Sequence, residues 1–142
     1  VAGFGKRHCK ELLNHTFGKT PDTTPAGVIY LSLHTADPGE DGQTSNEATG
    51  SGYARKVTAA TDWNAATNAD PSVTTNGVDL AFPTATGDWS SGTAFTHVGL
   101  WIHATLTTEA NFLGVATLNV AKSVLNNDTM TILSGALSVT MD

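Results

Sequence analysis

Five histidines, one cysteine and thirteen carboxylates are the side chains of this chain best able to do chemistry, and their spacing limits what that chemistry could be. His97 and His103 share strand parity but lie six residues apart, ~20 Å along an extended chain, too far to ligate one metal. His8 and His15 share a helix face at i, i+7, about 10 Å apart by helical rise, which is again too far. His34 closes an apolar run beside an acidic stretch, where it could pair with Asp37. All five therefore read as structural, and no metal site is expected of them. Asp37, Glu40, Asp41 and Glu47 sit on a Gly-rich loop, the kind of flexible oxygen donor set that calcium accepts. DPGEDG lacks the alternating acidic spacing of a calcium loop, so a solvated turn is expected instead. Hydrolysis by paired carboxylates needs one acid raised by burial, and an exposed loop does not supply it.

Nucleophilic catalysis finds no motif. There is no GxSxG elbow, and Cys9 adjoins His8 on a helical stretch where successive residues point in different directions. Cys9 reads as a thiol on the core face of that helix. Gly3 and Gly5 in GFGKR lack the spacing of a phosphate loop. No catalytic residue and no cofactor are expected. Three tryptophans remain. Trp101 lies within a strand pattern and reads as core, whereas Trp63 and Trp89 lie in loop-like sequence. Those two are candidate partner contacts, since amphipathic rings anchor interfaces and also stack on sugars. A carbohydrate-binding module is the lesser alternative.

The elements that must position these residues are mostly strands. VIYLSLH (28–34), FTHVGLWIH (95–103), FLGVATLNV (112–120), TMTIL (129–133) and ALSVTMD (136–142) alternate with period 2. YARKV (53–57) and VDLAF (78–82), the latter closed by Pro83, add two shorter ones, while 58–77 is ambiguous between strand and loop. FTHVGLWIH is apolar on both faces and belongs in the centre of a sheet. Ser134 and Gly135 signal a two-residue hairpin joining the last two strands. One helix is expected over 6–17, with Cys9, Leu12, Leu13 and Phe17 on one stripe and Gly18 as its stop. The long stretch 36–52 reads as an acidic loop. Seven or eight strands at this spacing predict an all-β, antiparallel β-sandwich of jelly-roll or Greek-key type with a short N-terminal helix and arm. Residues 1–27 form the arm and a Pro-containing linker, and 28–142 the sandwich.

Only 14% of the residues are charged, against ~25% in ordinary soluble domains. The charge is divided unevenly. Residues 1–20 carry a net +3 and the remainder a net −9. A basic arm on an acidic body suits docking on an acidic neighbour, including another copy of the chain. Phe4, Lys6, Arg7 and Lys10 are therefore candidate contacts, and the acidic body argues against nucleic-acid binding. No apolar run reaches the ~18 residues of a membrane span, and no signal-peptide pattern opens the chain. The single cysteine makes no internal disulfide and fits assembly in a cytoplasm.

LSLHTADPGEDG…NE…GSGYARK, together with AFPTATGDW (81–89), FTHVGLWI (95–102) and NNDTMTILSGALSVTMD (126–142), resembles a family of small tailed-bacteriophage virion proteins. Its members are described as tail-fibre or as capsid decoration (cement) proteins, and the resemblance covers roughly residues 28–142 and a short helix before them. It implies a structural protein without catalytic residues. The resemblance and the stiff body with its basic arm suggest a decoration protein bound to the major capsid protein on the outer surface of the phage head. Such a protein would form a homo-oligomer, dimer or trimer, assembled in the bacterial host cytoplasm. The alternative is a tail or tail-fibre component.

Overall fold

β-branched and aromatic residues at every second position leave the backbone extended and one face of each run apolar, so nine strands form among the described residues. The computed structural model describes residues 3–21 and 28–141. Pro25 and most of the expected linker, and Asp142, the last residue of the expected final strand, lie outside the described residues. The strands are β1 (Gly3–Phe4), β2 (Ile29–His34), β3 (Lys56–Thr58), β4 (Ser72–Thr75), β5 (Leu80–Thr84), β6 (Phe95–Trp101), β7 (Phe112–Lys122), β8 (Thr129–Ile132) and β9 (Ser138–Met141). One α-helix, α1 (Lys6–Thr16), follows β1, and Gly18 beyond it takes the left-handed conformation expected of a helix stop (φ 66°).

Every recorded strand pair is antiparallel. Five strands form one sheet in the order β1-β7-β6-β2-β3, and two ribbons, β4-β9 and β5-β8, complete the fold. The main core contains Leu31, Leu33, Val98, Leu100 and Leu113 from the large sheet with Leu80, Phe82, Met130, Ile132 and Val139 from the ribbons. Each such side chain contributes ~1.5–3 kcal/mol of burial. The result is an all-β, sandwich-like fold with the large sheet as one layer and two ribbons as the other. β6 lies at the centre of its sheet, as its two apolar faces require.

Two expectations are corrected by the pairing and one ambiguity is resolved. Ser134-Gly135 does not join a hairpin, because β8 pairs with β5 and β9 with β4. The turn instead crosses between ribbons and is held by the buried Asn76. Its Nδ2 donates to the carbonyls of Val78 and Leu133 (2.9 and 2.8 Å), and its Oδ1 accepts from the Leu137 amide (2.9 Å). Pro83 does not end β5 but lies inside it, at the register shift between Ala81 and Thr84, where a missing amide donor is tolerated. The ambiguous 58–77 stretch resolves into a short 3₁₀ turn at Ala60–Asp62, a bridge between Trp63 and Asn76, and β4.

The N-terminal segment also departs from a free arm. Gly3 and Phe4 pair with Val115 and Gly114 of β7, and the Gly5 amide donates to the Leu113 carbonyl (2.7 Å). A Cβ on Gly114 would run into the Gly3 carbonyl and lie 2.9 Å from the Phe4 Cα, so this edge accepts β1 only because position 114 has no side chain. Gly114→Val is expected to displace β1, costing about 1–3 kcal/mol. Loss of hydrogen-exchange protection at the Gly5 amide, with the β2 and β6 amides still protected, is the measurement that checks it.

Candidate functional site

Two of the five histidines, His34 and His97, come together on the face of the large sheet opposite the main core. Alternation along β2 puts Tyr30, Ser32 and His34 on that face, and the register opposes them to Trp101, Gly99 and His97 of β6. Trp101, Phe112 and Val115 form a second small core there, with Tyr30 against it. A register shift between Leu100 and Trp101 lets Phe112 join this face while Leu113 enters the main core.

Over Gly99, three polar atoms converge. Trp101 Nε1 donates to Ser32 Oγ at 2.7 Å, and Ser32 Oγ lies 2.7 Å from His34 Nε2. A Cβ on Gly99 would sit 2.5 Å from Ser32 Oγ and 2.8 Å from both ring nitrogens, so glycine is what makes room for the network. Serine and imidazole at this distance have the separation of a nucleophile and its base. Here both side chains are fully buried and the serine oxygen already accepts the indole proton donor, so no substrate reaches it. Burial dominates the electrostatics of His34 and pushes its pKa down to about 4, with Glu47 opposing and Arg55 and His97 adding to the shift. The imidazole is therefore neutral at pH 7.

Beside it lies an ion pair that spacing alone does not reveal. Arg55 grips Glu47 in a fork, Nε to Oε1 and Nη2 to Oε2, both 2.8 Å. The side chains are 3% and 12% exposed. Arg55 Nη1 donates to the carbonyls of His103 and Leu106 (3.0 and 3.1 Å), and its guanidinium lies 3.9 Å from the Trp101 ring centroid. Tyr53 completes the cluster by donating to Glu47 Oε1 (3.1 Å) and accepting from the Leu33 amide (3.2 Å). Burial and the neighbouring carboxylate raise the phenol's pKa, keeping it protonated. His103 Nδ1 accepts from the amides of Thr105 and Leu106 (both 3.1 Å), shaping the loop that Arg55 holds. A cleft of about 310 Å³ opens here, lined by Tyr53, Arg55 and Thr105 among others. Glu47, Tyr53 and Arg55 at its wall are hydrogen-bonded to one another and to nearby backbone.

The acidic loop splits between roles. Glu47 belongs to the buried cluster, while Asp37 Oδ1 caps the Gly39 amide (2.8 Å) and Asp41 meets Lys6. Among the described residues no group of three or more His, Cys, Asp or Glu side chains is placed to hold a metal. No described helix is long and apolar enough to cross a membrane.

The candidate contacts fare unequally. Lys6 pairs with Asp41 of its own body and Arg7 with Glu11 one helical turn on (2.6 Å). Lys10 is exposed. Trp89, expected at the surface, is fully buried: its ring meets Tyr53 edge-on at 5.2 Å and Nε1 donates to the Ser51 carbonyl (3.0 Å). It therefore offers no contact to a partner. Trp63 is half-buried, bonded through Nε1 to Thr58 Oγ1 (3.0 Å). It lines an apolar groove of about 310 Å³ with Phe4, Ile29, Leu100, Leu113 and Val139, so the structure brings Phe4 and Trp63 together. The helix is also turned from its expected orientation. Cys9 is exposed and the one buried residue of α1 is His8, whose ring lies 4.7 Å from that of Phe4. Lys6→Ala is expected to leave stability essentially unchanged, because the pair is solvent-exposed and screened. Matched urea midpoints for the two proteins would bear this out.

An antiparallel all-β domain with a hydrogen-bonded polar cluster buried on one sheet face is the class of protein this fold and face define. A family model described as podophage GP4 fiber I protein gp80 matches residues 4–140, and the chain belongs to that family of tailed-phage virion structural proteins. No curated protein matches the chain.

Proposed function

We propose that the protein is a non-catalytic structural component of a podophage fibre, working through shape and adhesion. The family description supports the fibre in preference to the head decoration expected from sequence. The observation that carries the non-catalytic part is the sequestration of Ser32, His34, Glu47, Tyr53 and Arg55. Apart from His34 Nδ1, a buried atom with no hydrogen-bond partner, their hydrogen bonds are spent on one another, on Trp101 and on backbone inside the sheet face. What remains outside is a Thr- and Gly-rich, sparsely charged surface with an apolar groove at Phe4 and Trp63. Such a surface adheres by shape and apolar burial, and many weak contacts add when several copies engage together. Homo-oligomerisation belongs to this reading, as does attachment to a virion protein rather than to nucleic acid, membrane or sugar.

Gold-labelled antibody against the protein, imaged on intact particles by electron microscopy, tests the placement. Label on the fibres supports the proposal. Label spread over the capsid faces overturns the fibre placement and returns the decoration role bound to the major capsid protein.

A further inference from the structure

We infer that the slot on β7 now filled by the chain's own N-terminus takes, in the assembled protein, the β1–α1 segment of a second copy, so that neighbouring subunits are joined by arm exchange. The inference concerns how copies join and stands apart from where in the virion they sit.

The slot is specific in shape. Gly114 leaves room for the Gly3 carbonyl, a Cβ on Gly5 would meet the Glu40 carbonyl at 2.7 Å, and one on Gly42 would overlap the Phe112 ring at 2.5 Å. Backbone pairing of Gly3 and Phe4 with Val115 and Gly114 closes the edge of the large sheet. Without an occupant, β7 would present an open edge beside Phe112, Leu113 and Val115, the sort of edge that recruits another strand.

Beyond β1 the segment is tied down through the inward side of α1, where His8 is buried and the Arg7 and Glu11 side chains are 15% and 25% exposed. Lys6 and Asp41 form an ion pair between α1 and the body, and both side chains are about half exposed, so it contributes little. Arg7 pairs within the helix itself. Leu13 and Phe17 are 59% and 71% exposed, leaving an apolar outward face on an 11-residue helix that is marginal without packing. Twelve residues, 17–28, separate α1 from β2. Beyond the helix cap at 17–19, the nine residues 20–28 reach about 30 Å if extended, about twice the radius of gyration of ~15 Å expected for a body of this size. A net +3 on residues 1–20 against −9 on the remainder draws any arm to any body.

None of the slot's contacts depends on which chain supplies the strand. Exchange therefore conserves them all, and the linkage between copies is gained without a new interface having to form first. It also carries the Leu13 and Phe17 face into the junction between two bodies, where apolar area can be buried.

The test uses two full-length chains of different tag length, both carrying Cys9→Ser, one with Lys6→Cys and the other with Asp41→Cys. Co-expressed and treated with a short bismaleimide, they are expected to give a covalent heterodimer on a denaturing gel, well above the product of either variant alone. A third chain carrying both substitutions reports whether the two positions are adjacent at all. If that chain closes on itself while the mixed pair gives no heterodimer, each arm stays on its own body and the inference is wrong. Sedimentation as a monomer at all accessible concentrations would overturn it as well.

Discussion

Arg55→Ala is expected to destabilise the fold by about 3–5 kcal/mol, because it strands a buried carboxylate and two carbonyl acceptors at once. Glu47 would keep its place on the sheet face with only Tyr53 as a partner, and the carbonyls of His103 and Leu106 would lose their donor. The Trp101 ring would also lose the cation over its face. For a domain of this size a loss in that range lowers Tm by roughly 10 °C or more. Thermal unfolding followed by tryptophan fluorescence measures it. The charge pair can be separated from packing with the double variant Arg55→Met, Glu47→Leu, which removes both charges together. It is expected to recover a large part of the loss, as replacing a buried ion pair by apolar groups commonly does. A single variant as stable as the native chain would mean that the fork on Glu47 holds nothing together.

Stability is also expected to fall by about 3 kcal/mol as the pH is lowered from 6.5 to about 4, through His34 alone. The sign follows from burial. The folded imidazole resists protonation until about pH 4, whereas in the unfolded chain it binds a proton near 6.5. Between these values the unfolded state holds more protons, so acid favours it. The contribution is complete above pH 6.5, declines through the window, and is level below its lower end. Carboxylates titrate in part of the same range, so the measurement is a comparison of urea unfolding across pH 4–7 for the native chain and His34→Gln. The variant retains a polar group near Ser32 but has nothing to titrate. Its profile is expected to be flatter by that amount. Parallel profiles would show that His34 is not the group responsible.

These two sites differ in how visible they were beforehand. Period-2 alternation placed β2, β6, β7, β8 and β9 within a few residues, since that signal comes from which side chains face the core. β6 could even be put in the centre, because a strand covered on both faces has no polar side. Alternation carries no information about which strand lies beside which. The Ser134-Gly135 turn has hairpin chemistry, yet its flanking strands pair elsewhere, an outcome set by long-range packing around Asn76. The same limit hid the buried cluster. His34 and His97 are far apart in sequence and become neighbours only through strand register, and Glu47 meets Arg55 only when the acidic loop folds back along β2. One local signal did exist: Arg55 and Lys56 are adjacent in the expected strand YARKV, so period-2 alternation turns one of the two cations inward, where it calls for a counter-charge. Trp89 misled for the opposite reason. The surrounding Ser, Gly and Asp residues read as an exposed loop, but the ring folds inward to fill the end of the core.

The division of the second layer into two separate ribbons has a mechanical consequence. A continuous sheet shares shear among all its ladders, whereas β4-β9 and β5-β8 are stitched to each other at the crossing where Asn76 rivets the chain. Bending of the molecule would then concentrate along that seam, with the five-stranded plank behind it remaining stiff, so the body has one rigid side and one that can flex.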